Sequence, residues 1–152
     1  MTMRLFADKK KDGISIIVGC GRLGANLANA LSDSGKSVVI IDKNPEAFRK
    51  LSSSFGGIVM TGDATDMLVL KNAEIGKSMA VISVTNNDNT NIMIAQLAKE
   101  LFNIPQVIAR LYDPDRECVY REFGIDTICP AILSVNEINK LLRMPELEGE
   151  VL

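Results

Sequence analysis

The sequence predicts an α/β fold, a doubly wound parallel sheet of about six strands with a crossover helix at its C-terminal end. Three observations carry this expectation. Short apolar, β-branched runs recur along the chain, amphipathic stretches of helical length separate them, and the first run passes straight into a glycine-rich turn. With 152 residues and 47% hydrophobic content, the chain has material for one core, so one folded domain is expected. Its expected limits are a flexible tail over 1–12, the α/β domain over 13–129, a terminal helix over 130–144 and a frayed acidic tail over 145–152.

The first strand, Ile14–Val18, is a continuous apolar run, as a strand buried on both faces requires. It enters Gly19-Cys20-Gly21-Arg22-Leu23-Gly24, where the lack of Cβ atoms lets a backbone approach a pyrophosphate and aims helix N–H groups at its charge. The following helix, 23–31, shows Leu23, Leu27, Ala30 and Leu31 on one face and ends at Gly35. Strand 37–41 then leads to Asp42, at about the 20-residue offset of a carboxylate that accepts ribose hydroxyls. Asn44-Pro45-Glu46 places a cap before a first-turn proline and opens a helix with Ala47, Phe48 and Leu51 on its face.

Strand 57–60 precedes a helix capped at Thr65, with Leu68, Val69 and Ala73 facing inward. Strand 79–84 precedes the longest inner helix, capped at Asp88 and marked by Ile92, Ala95, Leu97 and Leu101. The fifth and sixth strands are Gln106–Arg110 and Asp126–Ile128, with a helix opened by Asp113-Pro114-Asp115 between them. The terminal helix carries Ile132, Leu133, Val135, Ile138, Leu141 and Leu142. So broad an apolar face either folds back on its own sheet or crosses to a partner subunit.

Composition excludes several functions. With Lys+Arg 17 against Asp+Glu 19, the net charge of −2 does not favour nucleic acid, and Lys9-Lys10-Lys11 is a solvated tail. No apolar run reaches the roughly 18 residues that span a bilayer and no signal-peptide core is seen, so a cytoplasmic protein without direct membrane insertion is expected. Three widely spaced cysteines without a Cys-x-x-Cys suggest reduced thiols rather than disulfides or zinc. The complete lack of histidine removes the commonest general base and metal ligand, and Cys20 reads as a small filler rather than a nucleophile.

In an open parallel sheet, ligands bind at the carboxyl ends of the strands. The residues just after each strand therefore form the candidate site: Gly19, Gly21, Arg22, Leu23 and Gly24, then Asp42 and Lys43, then Asp63 and Ala64, then Thr85, Asn86 and Asn87, and Arg110. Arg22 either pairs with phosphate oxygens, reaches a neighbouring subunit or is a plain surface arginine. Asp63 either meets an adenine edge or serves as a loop carboxylate. Asp42 favours a ribose with free hydroxyls, so NAD(H) or ATP/ADP/AMP ranks above NADP. No partnered base or second substrate domain is visible, which favours a binding module; the alternative is a small NAD-dependent oxidoreductase or a fragment of one.

Gly19-Cys-Gly-Arg-Leu-Gly24, Ile41-Asp42-Lys-Asn, Gly62-Asp-Ala-Thr65, Thr85-Asn-Asn-Asp-Asn-Thr-Asn91, Ala109-Arg110 and Phe123-Gly-Ile-Asp126 occur in the order seen in RCK/KTN domains. Over about residues 14–143 the chain resembles these nucleotide-binding regulatory domains of potassium channels and uptake systems. The resemblance implies a Rossmann-like domain that binds NAD(H), ATP, ADP or a related nucleotide and conveys occupancy to a membrane pore. It implies that Asp42 binds ribose, that Gly19, Gly21 and Gly24 bind phosphates, that Arg22 contacts terminal phosphates and that Asp63 approaches the base. It further implies a terminal helix that exchanges between subunits, hence a homodimer or higher ring. The pore helices and second subdomain of many members are not seen here, so the expected partner is a separate potassium transporter or channel subunit at the inner face of the membrane.

Overall fold

A computed structural model describes residues 13–142. The tails 1–12 and 145–152, with the Lys9-Lys10-Lys11 cluster, and residues 143 and 144 of the expected terminal helix lie outside the described residues. The strands are β1 (Ile14–Val18), β2 (Ser37–Asp42), β3 (Ile58–Thr61), β4 (Ser78–Ser83), β5 (Gln106–Arg110) and β6 (Asp126–Ile128). They form one six-stranded sheet in the order β3-β2-β1-β4-β5-β6, parallel at every pairing. The chain therefore grows outward from β1 in one direction and, after β3, returns to grow in the other. The crevice at that reversal lies between β1 and β4.

The helices are α1 (Arg22–Asp33), α2 (Met67–Asn72), α3 (Asp88–Gln96), α4 (Glu117–Glu122) and α5 (Pro130–Leu141). Consecutive side chains of a strand point to opposite faces, and here both faces are covered, which is why the strands are apolar without alternation. Ile16, Val18, Val39, Ile41 and Val81 pack on one face with Leu70 of α2 and Ile92, Ile94 and Ala95 of α3. Ile17, Val38, Ile40 and Ile82 pack on the other with Ala25 and Ala28 of α1 and with Ala47.

Several expected details differ. Ala30 is exposed; α1 rests on the sheet through the small residues Gly24, Ala25 and Ala28, with its leucines half-buried at the sides, because close approach favours small side chains. The segment Pro45–Lys50 winds as a 3-10 helix rather than an α-helix. Asn44 and Asp113 cap as expected, each accepting the N–H two residues on. The caps of α2 and α3 are Asp66 and Asn87, not Thr65 and Asp88. Thr65 is held by Asp63, and Asp88 turns its carboxylate to the N–H groups of Tyr112 and Asp113.

In α2, Leu68 is 63% exposed and Leu70 fills the core instead. The α3 helix runs into a π-helical segment, Leu97–Leu101, whose wider turn shifts the phase of the inward face. That shift buries Ala98 and leaves Leu101 exposed. Helix α5 contributes no buried residue, and Leu133, Val135, Ile138, Leu141 and Leu142 are all exposed, so its apolar face is not folded back onto the sheet.

A Cβ on Gly24 would overlap the carbonyl oxygen of Gly19, whereas one on Gly21 would meet nothing within 4 Å. Gly24→Ala is expected to cost about 1–3 kcal/mol of stability in urea unfolding, as overpacking does. Gly21→Ala is expected to leave the midpoint nearly unchanged.

Candidate functional site

At the reversal of the sheet, Gly19 has a φ of +104, and a Cβ there would lie 3.0 Å from the backbone of Val84 and Thr85. Only glycine fits both the conformation and the gap. The turn then delivers α1, whose N-cap, Gly21, makes no side-chain capping hydrogen bond and whose first turn holds no acidic residue. The first-turn N–H groups of Arg22, Leu23 and Gly24 are thus left to an external acceptor, and the helix dipole favours a negative one. Above Gly21 the space is open.

That space belongs to a cavity of about 550 Å³ at the carboxyl ends of the strands, within the usual range of small-molecule sites. Gly19, Cys20 and Gly21 form its floor, and Asp42 and Lys43 stand on one side. Asp63 and Ala64 close the far end, while Thr85, Asn86 and Asn87 form the opposite wall. Arg22, Leu23 and Gly24 do not line it; Gly21, the N-cap, brings the helix N-terminus to its edge. Arg110 lies behind the wall, donating from Nη2 to the Thr85 carbonyl at 2.7 Å and to Asn86 Oδ1 at 3.0 Å. Arg22 is exposed and makes no ion pair among the described residues.

Asp42 is held by backbone N–H groups on both carboxylate oxygens. Its Oδ2 accepts the Cys20 N–H at 2.8 Å and its Oδ1 the Asn44 N–H at 2.9 Å, leaving each oxygen a further lone pair. Asp63 Oδ1 accepts the hydroxyl of Thr65 at 2.6 Å and its N–H at 3.0 Å, and Oδ2 pairs with Lys43 Nζ at 3.4 Å. The Thr65 bonds, with a smaller contribution from Lys43, hold the Asp63 carboxyl below its ordinary value. Cys20 is fully buried and donates its thiol to the Ala47 carbonyl. Burial first, and then Asp42, push that thiol up against the opposing pull of Lys50.

Three contributions lie outside the candidate residues read from the strand ends. Lys50 reaches the cavity from the end of the 3-10 segment and donates to the Cys20 carbonyl at 3.4 Å. Thr90 and Ile94 also line it, and their spacing on α3 was the available signal. Asn91, fully buried, holds the β4 loop: its Oδ1 accepts from Ser83 Oγ, Thr85 N and Thr85 Oγ1, and its Nδ2 donates to the carbonyls of Thr85 and Arg110.

Among the described residues no group of acidic, Cys or His side chains could hold a metal ion, and no helix is long and apolar enough to cross a membrane.

The TrkA-N domain family matches residues 15–130. The Trk system potassium uptake protein TrkA of Streptomyces coelicolor is 45% identical over 113 residues, which are 74% of this chain and 51% of that protein, so the chain spans only part of its relative. The GsuK RCK domain superposes with a TM-score of 0.73 at 26% identity, covering 87% of this chain and 28% of that one. The Shewanella denitrificans Kef CTD, solved in an AMP-bound form, superposes with a TM-score of 0.69 at 22% identity, covering 91% of this chain and 85% of that one, a likeness of fold. With a Rossmann-like strand order, the glycine turn at its reversal and a family match across nearly all the described residues, this chain belongs to the TrkA-N domain family.

Proposed function

We propose that the chain is a non-enzymatic, adenine-nucleotide-sensing regulatory component of a potassium uptake system, acting on a separately encoded membrane subunit from the cytoplasmic face. The observation that carries the reading is the cavity itself: an uncapped helix N-terminus at one end, a pre-fixed carboxylate at its side, and a polar turn closing the other. In this reading the first-turn N–H groups of α1 and the Gly19–Gly21 backbone take the phosphates. Asp42 takes the ribose hydroxyls, Asp63 and Ala64 face the base, and Lys43, Thr85, Asn86 and Asn87 complete the walls. NAD(H) and ATP/ADP/AMP are the candidate ligands, a choice in keeping with the AMP-bound form of the Kef CTD. The name of the Streptomyces coelicolor relative supports potassium uptake as the setting.

The oxidoreductase alternative finds no support in the cavity wall, whose carboxylates are engaged by backbone N–H groups, Thr65 and Lys43. A sensor must bind its ligands unequally in two states of its assembly, because a ligand with equal affinity for both shifts nothing. The exposed face of α5 is the surface through which a second copy would assemble.

Calorimetric titration of the purified chain with NADH, NAD, ATP and ADP is expected to give saturable binding with at least one; no binding of any at millimolar concentration overturns the reading. Hydrogen bonds to a charged group contribute roughly 1.5–3 kcal/mol, so Asp42→Ala is expected to weaken that ligand about tenfold or more. Unchanged affinity would remove Asp42 from the ribose. The double variant Ile138→Glu and Leu142→Glu is expected to convert an oligomer to monomer on size-exclusion chromatography with light scattering, and an unchanged mass would place the interface elsewhere.

A further inference from the structure

Arg110 closes β5 with only 9% of its surface exposed, yet among the described residues no carboxylate comes within ion-pair distance of it. Its Nε is buried without an acceptor, and the Tyr112 ring covers the guanidinium at 5.0 Å. The acidic side chain anchored beside it, Asp88, is committed to the N–H groups of Tyr112 and Asp113. A buried cation without an anion is costly, more so in a wall of low dielectric. Apolar residues could fill a strand end at far less cost, so the charge is retained for something other than the acids among the described residues.

What it touches indicates what that is. Both acceptors of Nη2, the Thr85 carbonyl and Asn86 Oδ1, belong to residues on the cavity wall. The guanidinium thus stands one layer behind the space beside the α1 N-terminus, where its field reaches a bound anion through protein rather than through water. Among the cations at the wall itself, Lys43 is paired with Asp63 and Lys50 is exposed to solvent. Arg110 is the one whose charge is neither paired nor solvated.

We propose that Arg110 is a positioning and specificity-determining residue that makes the cavity select phosphorylated ligands, supplying positive charge from behind the wall while aiming the Asn86 side chain. The proposal rests on the nucleotide reading of the cavity and adds the origin of its preference for charge.

The test is calorimetry of the full chain with adenosine, AMP and ADP, for the wild type, Arg110→Met and Arg110→Lys. In the Met variant the loss of affinity is expected to grow with ligand charge, reaching at least about tenfold for ADP and remaining near zero for adenosine. The Lys variant, which keeps the charge, is expected to restore most of the ADP affinity. An equal loss for all three ligands, no loss at all, or no rescue by lysine overturns the proposal and leaves the nucleotide site standing. If the Met variant does not fold, Arg110→Gln, which retains a donor to the Thr85 carbonyl, replaces it under the same criteria; if neither folds, Arg110 is structural and the proposal falls. A wild type that binds none of the three overturns this proposal, and the nucleotide reading falls with it only if NAD(H) and ATP also fail to bind.

Discussion

Everything at the candidate site depends on how closely β1, β4 and α1 approach one another at the reversal of the sheet. Gly19 donates its N–H to the Ile41 carbonyl at 2.8 Å while its α-carbon abuts Val84 and Thr85, and Gly24 packs directly against the Gly19 carbonyl. No side-chain atom fits into this junction, so the position of α1 is fixed relative to both neighbouring strands. The same packing turns the Cys20 side chain into the core, which places the Cys20 N–H against Asp42. One steric constraint therefore sets the helix N-terminus and the carboxylate together on the lining of one cavity. Such rigidity lowers the ordering cost that binding must otherwise offset.

The loops on the opposite wall are held by a different device. Asn91 accepts three hydrogen bonds and donates two, using both N–H donors of the amide and sharing its oxygen among three donors, and all of its partners lie at the ends of β4 and β5. Each such bond contributes only about 0.5–1.5 kcal/mol net, but leaving a buried donor or acceptor without its partner costs more. The loop consequently has few alternative conformations that keep Asn91 satisfied. Asp88 does similar work one layer further out, tying the start of α3 to the chain beyond β5.

The sheet was legible because its strands are buried on both faces, which leaves continuous apolar runs that few other arrangements explain. The parallel order and the glycine turn followed from the same runs and their spacing. Details that depend on three-dimensional competition were not legible. Asp88 and Asn87 are both good caps, and which one caps α3 is decided by a backbone 24 residues away that needs a carboxylate. The π-helical segment moves Ala98 into the core in place of Leu101, and nothing in the local sequence announces that shift. Arg110 reads as a strand-end ligand residue, but only the structure distinguishes a side chain on the wall from one behind it. Lys50 comes to the floor through the 3-10 segment, a path no motif encodes.

The placement of α5 bears on how an occupied cavity could be sensed from outside. A helix of 12 residues is marginal in water by itself, and this one keeps Leu141 77% and Leu142 64% exposed, so its stability argues for cover from another surface. Its root is not remote from the cavity. Leu111 donates to the Ile128 carbonyl at 2.9 Å, and the Cys129 thiol, at the N-cap of α5, approaches the Tyr112 carbonyl at 4.0 Å. Tyr112 in turn covers the guanidinium that holds Asn86 on the cavity wall. Wall, arginine, tyrosine and helix root are thus consecutive contacts. A ligand that drew Asn86 inward would act on Arg110 and, through the ring over it, on the Tyr112 loop, which touches the N-cap of α5. Coupling of that kind needs no long pathway. It needs two arrangements of a single loop, with the ligand and a partner on the exposed face of α5 each favouring one.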